Sequence, residues 1–203
     1  MHKEKALIIF AKAPVAGKVK TRLIPYYSPA EAALIHQQLL EYAVANLVQL
    51  PGVDVMLHCA PDQNHHFFKY LEAEYNIKLD DQPSGDLGHK MSTALSRALL
   101  EYKKVVLIGA DIPAIDIPYI ESAFEKLEHQ PTVIGPAEDG GYVLVGLTQS
   151  RPAMFEGVEW GSSKVLQQTI EKLQPEMPVL LDTLWDVDRA EDVERFLQLR
   201  KDR

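Results

Sequence analysis

The chain has 203 residues, of which 46% are hydrophobic and 25% are charged, and its formal net charge is −8. This length and apolar content predict one domain spanning residues 1–203, and they exclude collagen-like, disulfide-framework and disordered chains. The acidic balance argues against a nucleic-acid partner. A single cysteine, Cys59, cannot form an internal disulfide. Because no apolar run approaches the ~20 residues of a membrane helix, we expect a cytoplasmic protein without a membrane partner; the oligomeric state is not predicted.

Strand-like and helix-like segments alternate through the first 130 residues. Apolar runs at Ala6–Phe10 and Val53–Cys59 predict strands. Between them, Ser28 and Glu31 form a capping-box pattern, and the apolar spacing that follows predicts a helix to Leu47. Further along we predict a helix from Leu87 to Tyr102, a strand at Val105–Ile108 and a helix from Ile120 to Leu127. This alternation is typical of a mainly parallel sheet with helices on both faces.

The pattern changes after residue 130. Thr132–Ala137 and Tyr142–Leu147 predict strands, and the tight-turn sequence EDGG between them predicts a β-hairpin near residues 132–147. A helix opened by Ser162-Ser163, a late strand at Pro178–Leu181 and a terminal helix follow. The whole predicts an α/β fold of three α/β/α layers, Rossmann-like, with a mainly parallel mixed sheet.

The loop after the first strand is basic in an otherwise acidic chain. Within eleven residues it carries four cations, Lys12, Lys18, Lys20 and Arg22. Cations neutralise phosphate, and Gly17 permits close backbone approach, so the loop predicts contact with phosphate or a nucleotide. A solvated basic loop is the alternative. The loop is similar to a Walker A motif, but Lys12 replaces its first glycine and Val19 its Ser or Thr, so that motif is excluded.

Acidic residues follow two of the predicted strands. Asp111, in GADIP, comes directly after Val105–Ile108, where a carboxylate can bind Mg²⁺ or Mn²⁺ together with substrate phosphates. Asp188 follows the late strand, and with Glu191 it also matches a capping box, so it is predicted to be a helix cap, a metal ligand or both. Asp186 is a further candidate ligand. A helix cap is the alternative for Asp111.

Two further segments have open alternatives. Residues 82–89 are either a turn in which Asp86 caps a helix, or a helix start that wraps around an anionic or base-bearing ligand. Glu138 and Asp139 either belong to a plain turn, or one of them binds an acceptor hydroxyl and acts as general base.

Five segments, taken in order, resemble the nucleotide-diphospho-sugar transferase superfamily with its glycosyltransferase-A type of fold. They are FAKAPVAGKVKTRL, GADIP, GPAEDGGYVLVGL, WGSSKVL and DVDRAEDV, and together they cover nearly the whole chain. The likeness is greatest to bacterial proteins called glycosyltransferase-like or arsenosugar-biosynthesis glycosyltransferase-like. Molybdenum-cofactor and 2-phospholactate nucleotidyltransferases resemble the chain more distantly.

The resemblance implies a site for each substrate. Asp111 would be the strand-end metal ligand and Asp188 the second ligand. A nucleotide would lie over the first loop, at Lys12, Ala13, Pro14, Gly17, Lys20, Thr21 and Arg22. If the 82–89 segment wraps around a ligand, Gln82, Gly85, Leu87 and Gly88 would contact the same nucleotide. The acceptor would contact Gly140, Gly141, Tyr142 and Trp160.

We therefore expect a metal-dependent transferase that uses a nucleotide-sugar donor, a small-molecule acceptor and Mg²⁺ or Mn²⁺. The catalytic residues would be Asp111, Lys20, Arg22, and Glu138 or Asp139. The first loop is not glycine-rich as in relatives that form sugar nucleotides, which favours glycosyl transfer. The alternatives are a nucleotidyltransferase that releases pyrophosphate, a noncatalytic nucleotide-binding or sensing module and, as a third class, a scaffold protein.

Overall fold

The protein is described by a computed structural model over residues 2–201. Its strands are β1 (Lys3–Lys12), β2 (Asp54–Ala60), β3 (Lys78–Asp81), β4 (Tyr102–Gly109), β5 (Thr132–Pro136), β6 (Tyr142–Leu147) and β7 (Val179–Leu180). Its α-helices are α1 (Pro29–Leu47), α2 (His66–Tyr75), α3 (Leu87–Ala98), α4 (Ile117–Lys126), α5 (Val165–Leu173) and α6 (Ala190–Lys201). Two short 3-10 helices lie at Thr21–Leu23 and Pro152–Phe155.

The seven strands form one sheet in the order β3-β2-β1-β4-β6-β5-β7. Neighbouring strands are parallel except at β6, which pairs antiparallel with both β4 and β5. The predicted mixed sheet and its hairpin are therefore confirmed. Chain order alone does not show that β6 lies between β4 and β5, because a hairpin can add to a sheet by either strand.

Side chains alternate between two core layers along the strands. In β1, Leu7 and Ile9 pack with α1, α2 and α4 on one face, whereas Ala6 and Ile8 pack with α3 and α5 on the other. The last helix, α6, buries Phe196 against α1 in a third cluster. This alternation is the two-residue period of a strand covered on both sides, so the predicted three-layer arrangement is confirmed.

The helix starts show which capping predictions were correct. Ser28 Oγ accepts from the backbone N–H of Glu31 at 3.3 Å, and Glu31 Oε2 accepts from the N–H of Ser28 at 2.7 Å, which confirms the capping box of α1. Asp86 caps α3 through the N–H of His89 at 2.8 Å. The start predicted at Ser162-Ser163 was wrong by two residues: α5 begins at Val165, and Lys164 at its N-cap makes no capping hydrogen bond.

Two elements were not predicted from the sequence, α2 and β3. The apolar face of α2 consists of only three buried residues, Phe67, Phe68 and Leu71. In β3, which is four residues long, only Leu79 is buried. Both signals are too short for a periodicity to stand out. The helix predicted to reach Tyr102 ends at Ala98, because Tyr102 already belongs to β4.

His58 on β2 makes the stability of the fold dependent on pH. Its ring is 6% exposed, stacks on Phe10, and has an Nδ1 atom without a partner among the described residues. Burial lowers the pKa of His58; the charge of Asp80 opposes this, and the charges of Lys78 and Arg97 add to it. His58 therefore binds a proton less readily in the folded state than in the unfolded chain. Its contribution to the free energy of unfolding is fully present above about pH 6.5 and is lost as the pH falls.

We therefore expect acid to destabilise the wild type more than a His58→Phe variant, which keeps the aromatic stack. The difference grows by at most about 1.4 kcal/mol per pH unit below pH 6.5. Urea unfolding at pH 5.0 and pH 7.5 measures it. If the stability of the two proteins depends on pH in the same way, folding does not lower the pKa of His58.

Candidate active site

A cavity of about 550 Å³, called here the larger cavity, lies beyond the carboxyl ends of β1 and β4. Charged side chains of both signs line it: Lys12, Lys18, Lys20, Arg22, Asp111, Asp139, Asp186 and Asp188. Lys12 is the last residue of β1, and the other cations come from the loop after it. The carboxylates come from the loop after β4, the hairpin turn and the segment after β7. This is the edge at which open parallel sheets bind ligands.

Lys20 is the residue that joins the basic loop to the acidic segments. Its ammonium lies 2.6 Å from Asp111 Oδ2 and 3.4 Å from Asp188 Oδ1, and its side chain is only 5% exposed. Its backbone is left-handed, with φ 47° and ψ 40°, a conformation that costs free energy in a residue with a side chain. The fold therefore holds Lys20 in this conformation and directs its ammonium at the carboxylates. Arg22 pairs with the other oxygen of Asp188.

The pKa values in this cluster reflect both burial and close charges. Burial is the largest single effect, and it lowers the pKa of Lys20 and raises that of Asp111. The nearby opposite charges and the hydrogen bond between the two groups together outweigh burial, so the pKa of Lys20 is raised and that of Asp111 is lowered. These two groups form an ion pair. Burial and the nearby charges of Asp111 and Asp188 raise the pKa of Asp186 to about 6.

The segment after β7 is tied to the end of β4 through the backbone. The N–H of Val187 donates to the carbonyl oxygen of Asp111 at 3.0 Å, which brings the aspartates on either side of Val187 to the metal-ligand candidate of β4. The capping role predicted for Asp188 is wrong. Asp192 Oδ2 instead accepts from the N–H groups of Asp188 and Arg189, at 3.0 and 2.7 Å, so the Asp188 carboxylate is free to pair with Lys20 and Arg22.

Three carboxylates form a group that fits a divalent metal. Asp111, Asp186 and Asp188 each place one oxygen so that all three lie within 4.8 Å of one another. Carboxylate oxygens at this spacing are the hard ligands that Mg²⁺ and Mn²⁺ prefer. The sequence indicated Asp111 and Asp188 more strongly than Asp186, whose place in the group depends on the Val187–Asp111 hydrogen bond.

The predicted nucleotide contacts divide into two sets. Lys12, Lys20, Thr21, Arg22, Gln82 and Leu87 line the larger cavity. Ala13, Pro14, Gly17, Gly85 and Gly88 are not among its lining residues. Gly88 has a packing role, because a Cβ there would meet Trp160 Nε1 at 2.7 Å and Phe155 O at 2.8 Å. The amide nitrogen of Gln82 donates to the carbonyls of Ala11 and His58, both at 3.0 Å, and so fixes the segment before α3 to the sheet.

His36 is a cavity residue that sequence reasoning missed. It lies on α1 and lines the larger cavity. Its Nε2 lies 2.8 Å from the carbonyl oxygen of Lys12, and burial lowers its pKa, so the ring is held neutral beneath the basic loop. No signal in the sequence marks it, because a histidine on an apolar helix face looks like any buried histidine.

A smaller cavity of about 220 Å³ adjoins the first one. The two share Asp111, Asp139 and Asp186, so these carboxylates form a common wall. Three of the predicted acceptor contacts, Gly141, Tyr142 and Trp160, line the smaller cavity. Gly140 does not: it has φ +88°, and a Cβ there would lie 2.3 Å from Ser163 O, so its role is close packing of the turn.

The two carboxylates of the hairpin turn have different surroundings. Asp139 lines both cavities, and its Oδ1 accepts from the N–H of Gly141 at 2.8 Å. Glu138 is not among the lining residues of either cavity, and its carboxylate oxygens lie 3.4 and 3.5 Å from Arg195 Nη1 on α6. Of the two predicted candidates for an acceptor-side base, Asp139 is therefore the one placed to act.

Comparison with known proteins places the chain in a family. A family model described as uncharacterized protein conserved in bacteria (DUF2064) matches residues 43–162. The chain belongs to this family. A crystal structure from Desulfovibrio desulfuricans G20, described as a nucleotide-diphospho-sugar transferase, is 31% identical, with a TM-score of 0.84 over 93% of this chain and 84% of that one. The predicted superfamily and fold are therefore confirmed for this DUF2064 protein.

Two further proteins are similar to the chain at lower sequence identity. A 2-phospho-L-lactate guanylyltransferase of Methanocaldococcus vulcanius is 23% identical over 141 residues, which are 70% of this chain and 60% of that protein. The chain thus aligns with less than two thirds of this curated relative. Rv0371c of Mycobacterium tuberculosis H37Rv, in complex with manganese, is 16% identical with a TM-score of 0.54, and the match covers 98% of this chain and 100% of that one.

Both the Desulfovibrio and the Methanocaldococcus proteins are described as transferases, so the DUF2064 chain is a member of a transferase superfamily. The family match includes Asp111, Asp139 and Trp160 but not the basic loop or the segment after β7. Within residues 2–201, no helix has the combined length and hydropathy that crossing a membrane requires.

Proposed function

We propose that the protein is a metal-dependent transferase that binds the diphosphate of a nucleotide donor in the larger cavity. The observation that carries this proposal is the meeting of Lys20 with Asp111 and Asp188 across 91 and 168 residues of sequence. Cations that neutralise phosphate and carboxylates that bind a metal thereby surround one cavity. The relationship to proteins described as transferases supports the same interpretation.

A divalent cation would be held by Asp111, Asp186 and Asp188. The chemistry it would supply is neutralisation of the charge on the donor's diphosphate as the leaving group departs. The three carboxylates suit Mg²⁺ and Mn²⁺ equally, and the manganese complex of Rv0371c, which has the same fold, supports Mn²⁺ as the first ion to test.

The chain's own residues would position the donor and move one proton. Lys12, Lys18 and Arg22 would bind phosphate oxygens, since all three residues line the cavity. Asp139 would accept the proton of the acceptor hydroxyl, whose oxygen forms the new bond. The bond from the reacting centre to the leaving oxygen breaks, and its electron pair leaves with the phosphate group.

Two reaction types fit this arrangement. In glycosyl transfer the acceptor oxygen attacks the sugar carbon, and a nucleoside diphosphate leaves. In nucleotidyl transfer it attacks the α-phosphorus, and pyrophosphate leaves. The first loop, which is not glycine-rich, favours glycosyl transfer, whereas the relationship to a guanylyltransferase favours nucleotidyl transfer.

Water can replace the acceptor in a test of these alternatives. The protein is incubated with Mn²⁺ and either nucleoside triphosphates or sugar nucleotides, and the products are separated by ion-exchange chromatography. Slow release of pyrophosphate with nucleoside monophosphate supports nucleotidyl transfer, and release of nucleoside diphosphate with free sugar supports glycosyl transfer. Nucleotide binding without any turnover, even with added acceptors, would support the noncatalytic module instead. Absence of both binding and turnover would contradict the proposal.

A further inference from the structure

The smaller cavity differs from the larger one in the charge of its lining. Three lysines, one arginine and His36 line the larger cavity. Among the residues within 2–201 that line the smaller cavity there is no lysine, arginine or histidine, whereas three aspartates are present. Those three aspartates line the larger cavity too, together with Asp188, so its carboxylates face an equal number of lysines and arginines, whereas the carboxylates of the smaller cavity face none. An anion entering the larger cavity meets compensating charge, and one entering the smaller cavity does not.

The remaining wall of the smaller cavity is largely apolar. Met91 of α3, Val143 of β6 and Val165 of α5 contribute aliphatic side chains. Trp160 and Tyr142 add two aromatic rings, packed edge to face with their centroids 6.2 Å apart. Apolar walls with a few polar groups at one end are typical of sites that take a small molecule with an apolar body and one reacting polar group.

A bound metal would not reverse this asymmetry. It would offset charge on Asp111 and Asp186, but Asp139, which lies outside the three-carboxylate group, would keep its own. Ser162, Tyr142 and Trp160 in this lining carry hydrogen-bond donors, but no lining residue within 2–201 carries a positive charge. Burying an anion there is therefore disfavoured, and the like charge in the same wall adds to the cost. The lining therefore selects against negatively charged acceptors.

We propose that the acceptor is a small hydroxyl compound with an apolar body and no negative charge, either neutral or cationic, and that it binds in the smaller cavity. This inference rests on the proposed transferase function and narrows its acceptor class. It also distinguishes this chain from the guanylyltransferase of Methanocaldococcus vulcanius, whose name specifies 2-phospho-L-lactate, a compound with a phosphate and a carboxylate. The hydroxyl would face Asp139, and the apolar body would lie against Trp160 and Met91.

Three probes of matched shape test the charge preference. Mandelamide is neutral, mandelate is anionic and 2-amino-1-phenylethanol is cationic, and each has one hydroxyl beside a phenyl ring. The protein is labelled with 5-fluorotryptophan, and the ¹⁹F resonance of Trp160 is followed during titration, with and without Mn²⁺ and a nucleoside diphosphate. Trp185, which lines neither cavity, serves as the internal control. A Trp160→Phe variant assigns the two resonances.

We expect mandelamide and the amine to shift the Trp160 resonance with at least about tenfold higher affinity than mandelate, since like charges in a buried site weaken binding by this much or more. Met91→Lys should reduce or reverse that preference by adding a cation. Asp139→Asn, which keeps the volume of the side chain, should also bring the affinity for mandelate closer to the affinity for mandelamide. This second variant tests the proposal even if Met91→Lys does not fold.

Equal or tighter binding of mandelate by the wild type would overturn the proposal, and so would the absence of a Trp160 shift with all three probes. Nucleotide binding is read separately from the ³¹P resonances of the diphosphate in the same samples. If the nucleotide fails to bind, the proposed transferase function is contradicted. If it binds while mandelate is preferred, only the acceptor assignment fails.

Discussion

Replacing Asp111 with asparagine should reduce donor turnover by about 10²–10³-fold, the loss typical of removing one preorganised electrostatic group from an active site. Asp111 has the central position in the site. It pairs with Lys20 at 2.6 Å, belongs to the three-carboxylate group and lines both cavities. The asparagine keeps the shape of the side chain but removes the charge that would hold a cation against the diphosphate.

The asparagine variant should remain folded, because its amide oxygen can still accept a hydrogen bond from Lys20. We expect a loss of about 1–3 kcal/mol in unfolding free energy, since the buried ammonium loses its nearest counter-charge. Asp182→Asn is the matched control. Asp182 follows β7, is exposed and lines neither cavity. Turnover is measured as Mn²⁺-dependent donor hydrolysis, and stability by urea unfolding. Native-rate hydrolysis by the Asp111 variant would show that the metal assignment is wrong.

Replacing Lys20 with methionine should produce two opposite effects that depend on metal. Without Mn²⁺ the variant should be less stable than the wild type by about 1–3 kcal/mol. This is less than for a fully buried pair, because Asp111 and Asp188 remain 34% and 30% exposed. With Mn²⁺ the variant should bind the ion about tenfold more tightly than the wild type, because no ammonium competes for the same oxygens.

Lys18→Met is the control for Lys20→Met. Lys18 lines the same cavity but is exposed, so its loss should leave Mn²⁺ affinity in the absence of nucleotide nearly unchanged. Mn²⁺ binding is read from the electron paramagnetic resonance signal of the free ion, and stability from thermal unfolding with and without Mn²⁺. If Lys20→Met weakens Mn²⁺ binding, the ammonium and the ion do not use the same oxygens, and the proposed cation site fails.

The sequence was most informative where one residue type at one position has a single physical explanation. The cap at Ser28 and the strand-end position of Asp111 follow from local chemistry, and both were predictable. The convergence of the first loop with Asp188 was predictable too, because parallel strands direct their carboxyl ends to one edge. Hydrophobic periodicity did not predict α2 and β3, because each has too few buried residues to form a pattern.

Three features that depend on particular side-chain contacts were not predictable from the sequence. Glu138 and Asp139 are neighbours in one turn, but Glu138 contacts Arg195 on α6, whereas Asp139 lines both cavities. Asp188 matches a capping-box pattern in the sequence. The structure shows that Asp192, four residues further along the chain, is the residue whose carboxylate accepts from the backbone N–H of Asp188. The apolar lining of the smaller cavity comes from α3, β6, α5 and the loops that carry Ile112 and Trp160, so its charge asymmetry has no counterpart in any single segment.

The proposed function requires a metal and a diphosphate to bind together in the larger cavity. A crystal structure grown with Mn²⁺ and a nucleoside diphosphate tests this directly, because manganese is identified by its anomalous signal. We predict a manganese peak at a coordination distance of about 2.0–2.4 Å from carboxylate oxygens of Asp111 and Asp188. The Lys20 ammonium should then contact the phosphates instead of the two aspartates. A nucleotide bound elsewhere, or Lys20 still seated between the two aspartates with manganese absent from them, would contradict the account.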